Sequence, residues 1–254
     1  VTLCGERPLR LDLSPTQDDL RAMADAMLGH AAHTRQEELR QGFVTLPGGH
    51  RAGLCGRAAV KDGRLLALQD IASLCVRIAR EVRGAADALM PWLLSGKEPV
   101  SALIVSPPGF GKTTLLRDAA RQLSDGGLAV TLVDERSEIA ACARGVPMLN
   151  VGENTDVLDG CPKAEGMRLA LRAMNPRVLV TDELGGPEDA AAVAEAARCG
   201  VTVLATAHGR SYRDLSLRPP LRPVLSSGVF ERVAVLTGVG RIGAVLDGKG
   251  ETLA

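Results

Sequence analysis

Aromatic residues are nearly absent: the 254-residue chain holds one Trp, one Tyr and three Phe. So few rings leave little to stack bases on, which single-strand nucleic-acid binders depend on. Net charge is also lacking, with 30 Lys plus Arg against 30 Asp plus Glu. No bulk field therefore draws the chain onto nucleic acid or an acidic membrane surface. No apolar run approaches the roughly 18–20 residues that cross a bilayer, and the opening residues show no signal-peptide pattern. These absences predict a soluble, intracellular protein, still able to dock on a membrane partner. The six cysteines form no C-x-x-C pair, and no histidine lies close enough in sequence to complete a zinc knuckle. Small buried thiols in a reducing compartment are the simpler reading. His30 and His33 can share one helix face, and the same plain reading applies to them.

What remains is an Ala/Val/Leu/Ile core and a change of rhythm along the chain. Residues 9–13 look like a strand. "SPTQDDLRAMADAMLGH" reads as a helix, with Ser14 as N-cap and Pro15 at its first position. "GFVTLPGGHRAGLCGRAAVKDGRLLAL" reads as a meander of short strands broken by Gly and Asp-Gly. "DIASLCVRIAREVRGAADALM" has helical apolar spacing at Ile71, Leu74, Ile78 and Val82, ending at Pro91. These segments predict a small α+β domain over 1–93, with "LLSGKEP" as the linker. Over 94–254 the pattern becomes strand, loop, helix, repeated. Apolar strands are expected at 102–105, 129–134, 178–182, 201–206 and 232–237, the last closing a hairpin at the sheet edge. Such an alternation indicates a parallel sheet covered on both faces.

The loops carry the chemistry. "SPPGFGKTT" follows an apolar strand and runs straight into a helix, the placement a phosphate-binding loop needs. There the amides of a loop spanning Ser106, Pro107, Pro108, Gly109, Phe110 and Gly111 would curl around phosphates. The new helix would add its positive end. Lys112 would reach the β- and γ-phosphates, and Thr113 would give its hydroxyl to Mg²⁺. Ser106 stands where the pattern asks for its first glycine, which weakens the match without removing a group that touches phosphate. Further on, "RVLVTDELG" ends an apolar strand in Asp182, which can hold Mg²⁺ through water. Glu183 beside it can polarise an attacking water. "VTLVDERSEIA" ends another strand in Asp134 and Glu135, either of which can assist the water or the metal; a solvated charge run explains them as well. "VTVLATAHG" ends in Thr206 and His208, where a polar group can bond the γ-phosphate or merely cap the strand.

Several longer stretches, "VDERSEIAACARGVP", "TDVLDGCPKAEGM", "VTDELGGPEDA" and "VLATAHGRSYRDL" among them, closely resemble the sporulation stage III AA family. These are bacterial ATPases similar to the motors of type II and type IV secretion. The resemblance begins near Arg10 and implies an α/β P-loop NTPase fold of the RecA/AAA type. It implies ATP and Mg²⁺ as ligands, with nucleotide contacts on Gly109, Gly111, Lys112, Thr113 and Thr114. Asp182 and Glu183 would position metal and water, Asp134 and Glu135 match an acidic box, and His208 matches a histidine box. It also implies a ring-shaped homo-oligomer, hexameric by analogy, working with membrane channel proteins at the mother-cell face of the forespore membrane. The early start at Val1 suggests that part of the family's N-terminal portion is absent. Asn154 and Gly186 stand where the family pattern has Arg. Arg136, Arg144 and Arg210, or a neighbouring subunit's Arg51 and Arg57, are the cations available instead. An ATP-hydrolysing motor is the leading expectation. A nucleotide-gated scaffold with weak hydrolysis is the alternative, and a nucleic-acid-dependent ATPase is disfavoured by charge and by scarce rings.

Overall fold

The computed structural model describes residues 1–4, 8–28, 42–61 and 63–253, without the side chain of Arg64. His30, His33 and the expected end of the first helix lie outside these residues. Two compact units, Val1–Ala79 and Arg80–Ala254, make up the chain.

In the first unit, β1 (Thr2–Leu3) pairs antiparallel with β2 (Leu9–Arg10). Helix α1 (Gln17–Leu28) begins later than the expected Ser14 cap. Thr16 Oγ1 accepts the Asp19 N–H at 3.2 Å, and the Asp19 carboxylate accepts the Thr16 N–H at 2.8 Å. This reciprocal pair satisfies donors that Ser14 is too far back to reach.

A three-stranded antiparallel meander follows: β3 (Phe43–Thr45), β4 (Arg51–Lys61) and β5 (Arg64–Arg77). Strand β5 corrects the sequence reading, which made its second half a helix. The register shifts between Cys55 and Arg57, where Gln69 to Ser73 of β5 lie against only Cys55 to Arg57 of β4. Asp70 takes a left-handed backbone with φ 47° in that bulge. A bulge resets the two-residue alternation of a strand. Leu68, Ile71 and Leu74 therefore pack on one core despite a three-residue spacing that imitates a helix. Ile78 and Val82, the remaining members of the supposed stripe, are exposed.

The second unit opens with Ala86, Leu89 and Leu93 buried in its core, so the compact units divide at 79/80 rather than at 93/94. The short helix α2 (Met90–Leu93) leads into β6 (Leu94–Ser95) and β7 (Glu98–Pro99). "LLSGKEP" is therefore a small hairpin, not a free linker.

Alternating strands and helices then build the main layer. They are β8 (Ala102–Ser106), α3 (Lys112–Asp125), β9 (Val130–Asp134), β10 (Thr155–Asp159), α4 (Lys163–Ala173), β11 (Val178–Glu183), α5 (Pro187–Arg198) and β12 (Thr202–His208). Two short helices, α6 (Tyr212–Ser216) and α7 (Arg222–Ser226), precede the hairpin of β13 (Arg232–Gly238) and β14 (Arg241–Asp247). The sheet order is β10-β9-β11-β12-β8-β13-β14. The first six strands run parallel and β14 closes the edge antiparallel. Every residue of β8 and β9 is buried, as strands covered on both faces must be. Ala102 and Ile104 face one core with α3, while Leu103 and Val105 face the other with α4 and α5. Strand β10 is the parallel strand missing from the sequence reading; its pattern is only partly buried, as an edge strand's is.

The parallel register lines the carboxyl ends of the strands along one edge. Ser106 ends β8 opposite His208 of β12, and Asp134 ends β9 opposite Asp159 of β10. Open α/β sheets bind ligands at this edge.

Candidate nucleotide site

Between β8 and α3 the chain turns through Gly109 (φ 80°) and Gly111 (φ 83°), a left-handed backbone that side chains resist. Open space surrounds the position a Cβ would take at Gly109. Gly111 caps α3 with no side-chain hydrogen bond to the helix start. The first amides of a helix have no partner inside it, so this end is fitted to take an anion. Pro107, Pro108, Thr113 and Thr114 flank the turn. From outside, the β13–β14 turn props it, Gly240 N–H donating to the Phe110 carbonyl at 2.9 Å.

Ser106 is fully buried, and its hydroxyl donates to the Pro107 carbonyl at 2.8 Å. The hydroxyl thereby ties down the corner where the pattern has glycine. Lys112 is buried, and its Nζ donates to the carbonyls of Ser106 at 3.1 Å and Pro107 at 3.2 Å. It also meets His208 Nδ1 at 3.2 Å. An ammonium only donates, so Nδ1 accepts and the ring proton sits on Nε2. That nitrogen lies 2.9 Å from Glu183 Oε2. A continuous polar chain thus links the loop lysine to the expected catalytic carboxylate. Burial lowers the Lys112 pKa, and the charge of Glu183 opposes the shift.

The acid cluster beside this chain is held by Lys163, which the sequence reading did not single out. Its Nζ meets Asp182 Oδ1 at 2.7 Å, the Glu183 carbonyl at 2.7 Å and Glu135 Oε2 at 3.2 Å. Helix α4 can bring it there because Gly166 lies against β9. A Cβ at 166 would come within 2.6 Å of Val133 Cγ1. Burial works against the Lys163 charge, but the hydrogen bond and charge of Asp182 outweigh it and raise its pKa. Burial pushes the Asp182 carboxyl above its usual range, with Lys163 opposing. Lys163 falls within "GCPKAEGM", a stretch that drew attention only as part of a resemblance. The pairing partners are too distant in sequence to be seen by spacing.

Asp134 is fully buried and bonded to its own loop. Its oxygens accept the amides of Glu138 (2.9 Å), Ile139 (2.9 Å) and Ala140 (2.8 Å). Arg117 of α3 fixes the same loop through the carbonyls of Ile139 and Glu138. Asn154 lies at the amino end of β10, where its carbonyl accepts the Val130 N–H and its N–H meets Ser124 Oγ. This is the sheet edge opposite the loop, so Asn154 in this chain takes no cation from the site. Gly186 caps α5, with Asp189 accepting its N–H at 3.1 Å. Among the described residues, no three His, Cys, Asp or Glu side chains group to hold a metal. A divalent ion here would depend on phosphate oxygens for much of its shell, as Mg²⁺ sites usually do.

Solved structures share this fold. The ATPase DotB of Legionella pneumophila superposes with a TM-score of 0.59 at 18% identity, covering 95% of this chain and 72% of that one. The pilus retraction motor PilT with bound ADP gives 0.53 at 18%, covering 93% and 70%. The chain accordingly has the fold of the P-loop secretion ATPases. Sequence is more specific than fold. Residues 6–253 match Sporulation stage III, protein AA. Stage III sporulation protein AA of Bacillus subtilis is 41% identical over 98% of this chain and 83% of its own length. The chain belongs to that family. It also shares 32% identity over 68% of its length with 24% of the Arabidopsis thaliana protein SEEDLING PLASTID DEVELOPMENT 1. Among the described residues no helix is long and apolar enough to cross a membrane.

Proposed function

We propose that the chain binds ATP with Mg²⁺ and hydrolyses it to ADP and phosphate. The observation that carries this reading is the link from Lys112 through His208 to Glu183, beside a helix start that has no side-chain cap. The amides of Gly109 to Thr114 and the Lys112 ammonium would hold the phosphates. Thr113 and Asp182 would hold the metal, which when bound neutralises charge on the β- and γ-phosphates. Glu183 would take a proton from the attacking water. His208 Nε2–H orients that carboxylate, and Nδ1 reports where Lys112 stands. Glu135 would steady the acid cluster through Lys163. Asp134 would act indirectly, by shaping the 135–140 loop.

The cellular part of the proposal rests on family membership and on the secretion-ATPase-like fold. It is a peripheral, ring-forming motor that energises a channel complex between mother cell and forespore. A second reading has one observation in its favour. Lys112 and Glu183 are already bonded to chain partners, which would slow turnover until something displaces them. That would suit a nucleotide-gated scaffold.

Purified variants test the chemistry. Lys112→Ala should lose ATP binding. Glu183→Gln should bind ATP like wild type, with turnover reduced by about 100-fold or more, the usual loss when a general base is removed. Near-normal phosphate release from Glu183→Gln would exclude Glu183 as the base.

A further inference from the structure

We infer that Lys163 is a built-in competitor for magnesium, an internal cation that occupies the acid cluster and moves along it when the metal arrives. The inference rests on the nucleotide reading above and extends it to a residue that reading does not require. Lys163 is buried with its ammonium on three oxygens, Asp182 Oδ1, the Glu183 carbonyl and Glu135 Oε2. Asp182 is the carboxylate that would face the metal, and its side chain is only 13% exposed. A buried carboxylate needs a partner when no metal is present, and Lys163 supplies one. A divalent ion near Asp182 must weaken that contact, because two cations cannot share one carboxylate without mutual repulsion.

The other two contacts give the ammonium somewhere to go. Once released from Asp182 it keeps the Glu183 carbonyl and draws closer to Glu135, now 3.2 Å away just past the end of β9. Metal arrival at β11 is thereby felt at β9 and at the start of α4, which Lys163 opens. Lys163 is a positioning residue in this scheme, since it acts through the carboxylates.

Two substitutions with opposite expected signs test the idea. Lys163→Met removes the competitor, so less Mg²⁺ should be needed. Glu135→Gln removes the alternative partner and leaves Lys163 more firmly on Asp182, so more should be needed. The full-length protein is given a fluorescent, slowly hydrolysed ATP analogue, and MgCl₂ is titrated while binding is followed. The half-saturating Mg²⁺ concentration should fall about tenfold in Lys163→Met, as expected for removing one unit charge from a partly buried site. It should rise about threefold in Glu135→Gln and stay within about twofold in Lys163→Arg, which keeps the charge. Damage to the fold alone would raise the midpoint in all three. An unchanged or raised midpoint in Lys163→Met with its melting temperature retained overturns the inference. If Lys163→Met does not fold, an unchanged or lowered midpoint in Glu135→Gln overturns it. No binding of the analogue to wild type at saturating Mg²⁺ overturns the nucleotide site and this inference together. Normal binding with the wrong signs overturns this inference alone.

Discussion

The Asp134 carboxylate accepts three amides from the turn that follows β9, and few side chains in the unit are more completely enclosed. Burial pushes its pKa up to about 6, with those three amides pulling the other way. The folded state therefore holds its proton to higher pH than the unfolded chain, whose Asp titrates near 3.9. Asp134's contribution to stability is then fullest below about pH 4 and is lost as pH rises through about 6. Asp134→Asn sets an amide N–H₂ against one of the backbone donors and should destabilise by about 1–3 kcal/mol. Thermal melts at several pH values check both points, and the gap between wild type and variant should narrow from pH 4 to pH 6. A gap that is constant, or widens with pH, would contradict the assignment. The sequence made it legible that an acid ends this strand. It did not show that the acid turns back on its own loop, because the donors are amides, which every residue carries. Lys163 was hidden for a related reason. Only the folded sheet, with β9 beside β11, brings Glu135 and Asp182 to the same ammonium.

Among the elements, those fixed by local rules were plain from sequence. The phosphate-loop turn, the buried parallel strands and the closing hairpin each follow from glycine placement or from unbroken apolar runs. Strand β5 was not, because its bulge converts strand alternation into a three-residue spacing. Gly56 on β4 faces that bulge. A Cβ there would lie 2.4 Å from the Gln69 carbonyl oxygen and 2.9 Å from that of Asp70, both backbone atoms without room to yield. Gly56→Ala should therefore break the β4–β5 pairing and destabilise the first unit by about 2 kcal/mol or more, in the upper range for single substitutions. Hydrogen exchange read strand by strand checks it. Protection should fall at β4 and β5 while β8 and β9 hold. Full protection in β5 would mean that the bulge has shifted to accommodate the methyl group.

At the scale of the whole molecule, the proposed hydrolysis would give self-association a purpose. Phosphoryl transfer spreads negative charge over the γ-phosphate, and enzymes that catalyse it meet that charge with a cation beyond the loop lysine. In this chain Lys112 belongs to the loop and Lys163 is bound to Asp182 and Glu135. Asn154 lies at the far sheet edge, and Gly186 carries no side chain. A guanidinium supplied by a second copy, Arg51 or Arg57 being candidates, would complete the site only in an oligomer. The balance of 30 basic and 30 acidic residues sets no long-range repulsion against assembly. Two measurements on one sample follow. Light scattering should show a large species when Mg²⁺ and a slowly hydrolysed ATP analogue are present, and Lys112→Ala should not form it. Phosphate release per mole of wild-type protein should rise with protein concentration, because dilution separates each site from the arginine that completes it. A monomer at every concentration, turning over at constant specific activity, would place the missing cation within the chain. Arg136, whose charge already acts on Asp182, would then be the side chain to replace first, followed by Arg144 and Arg210.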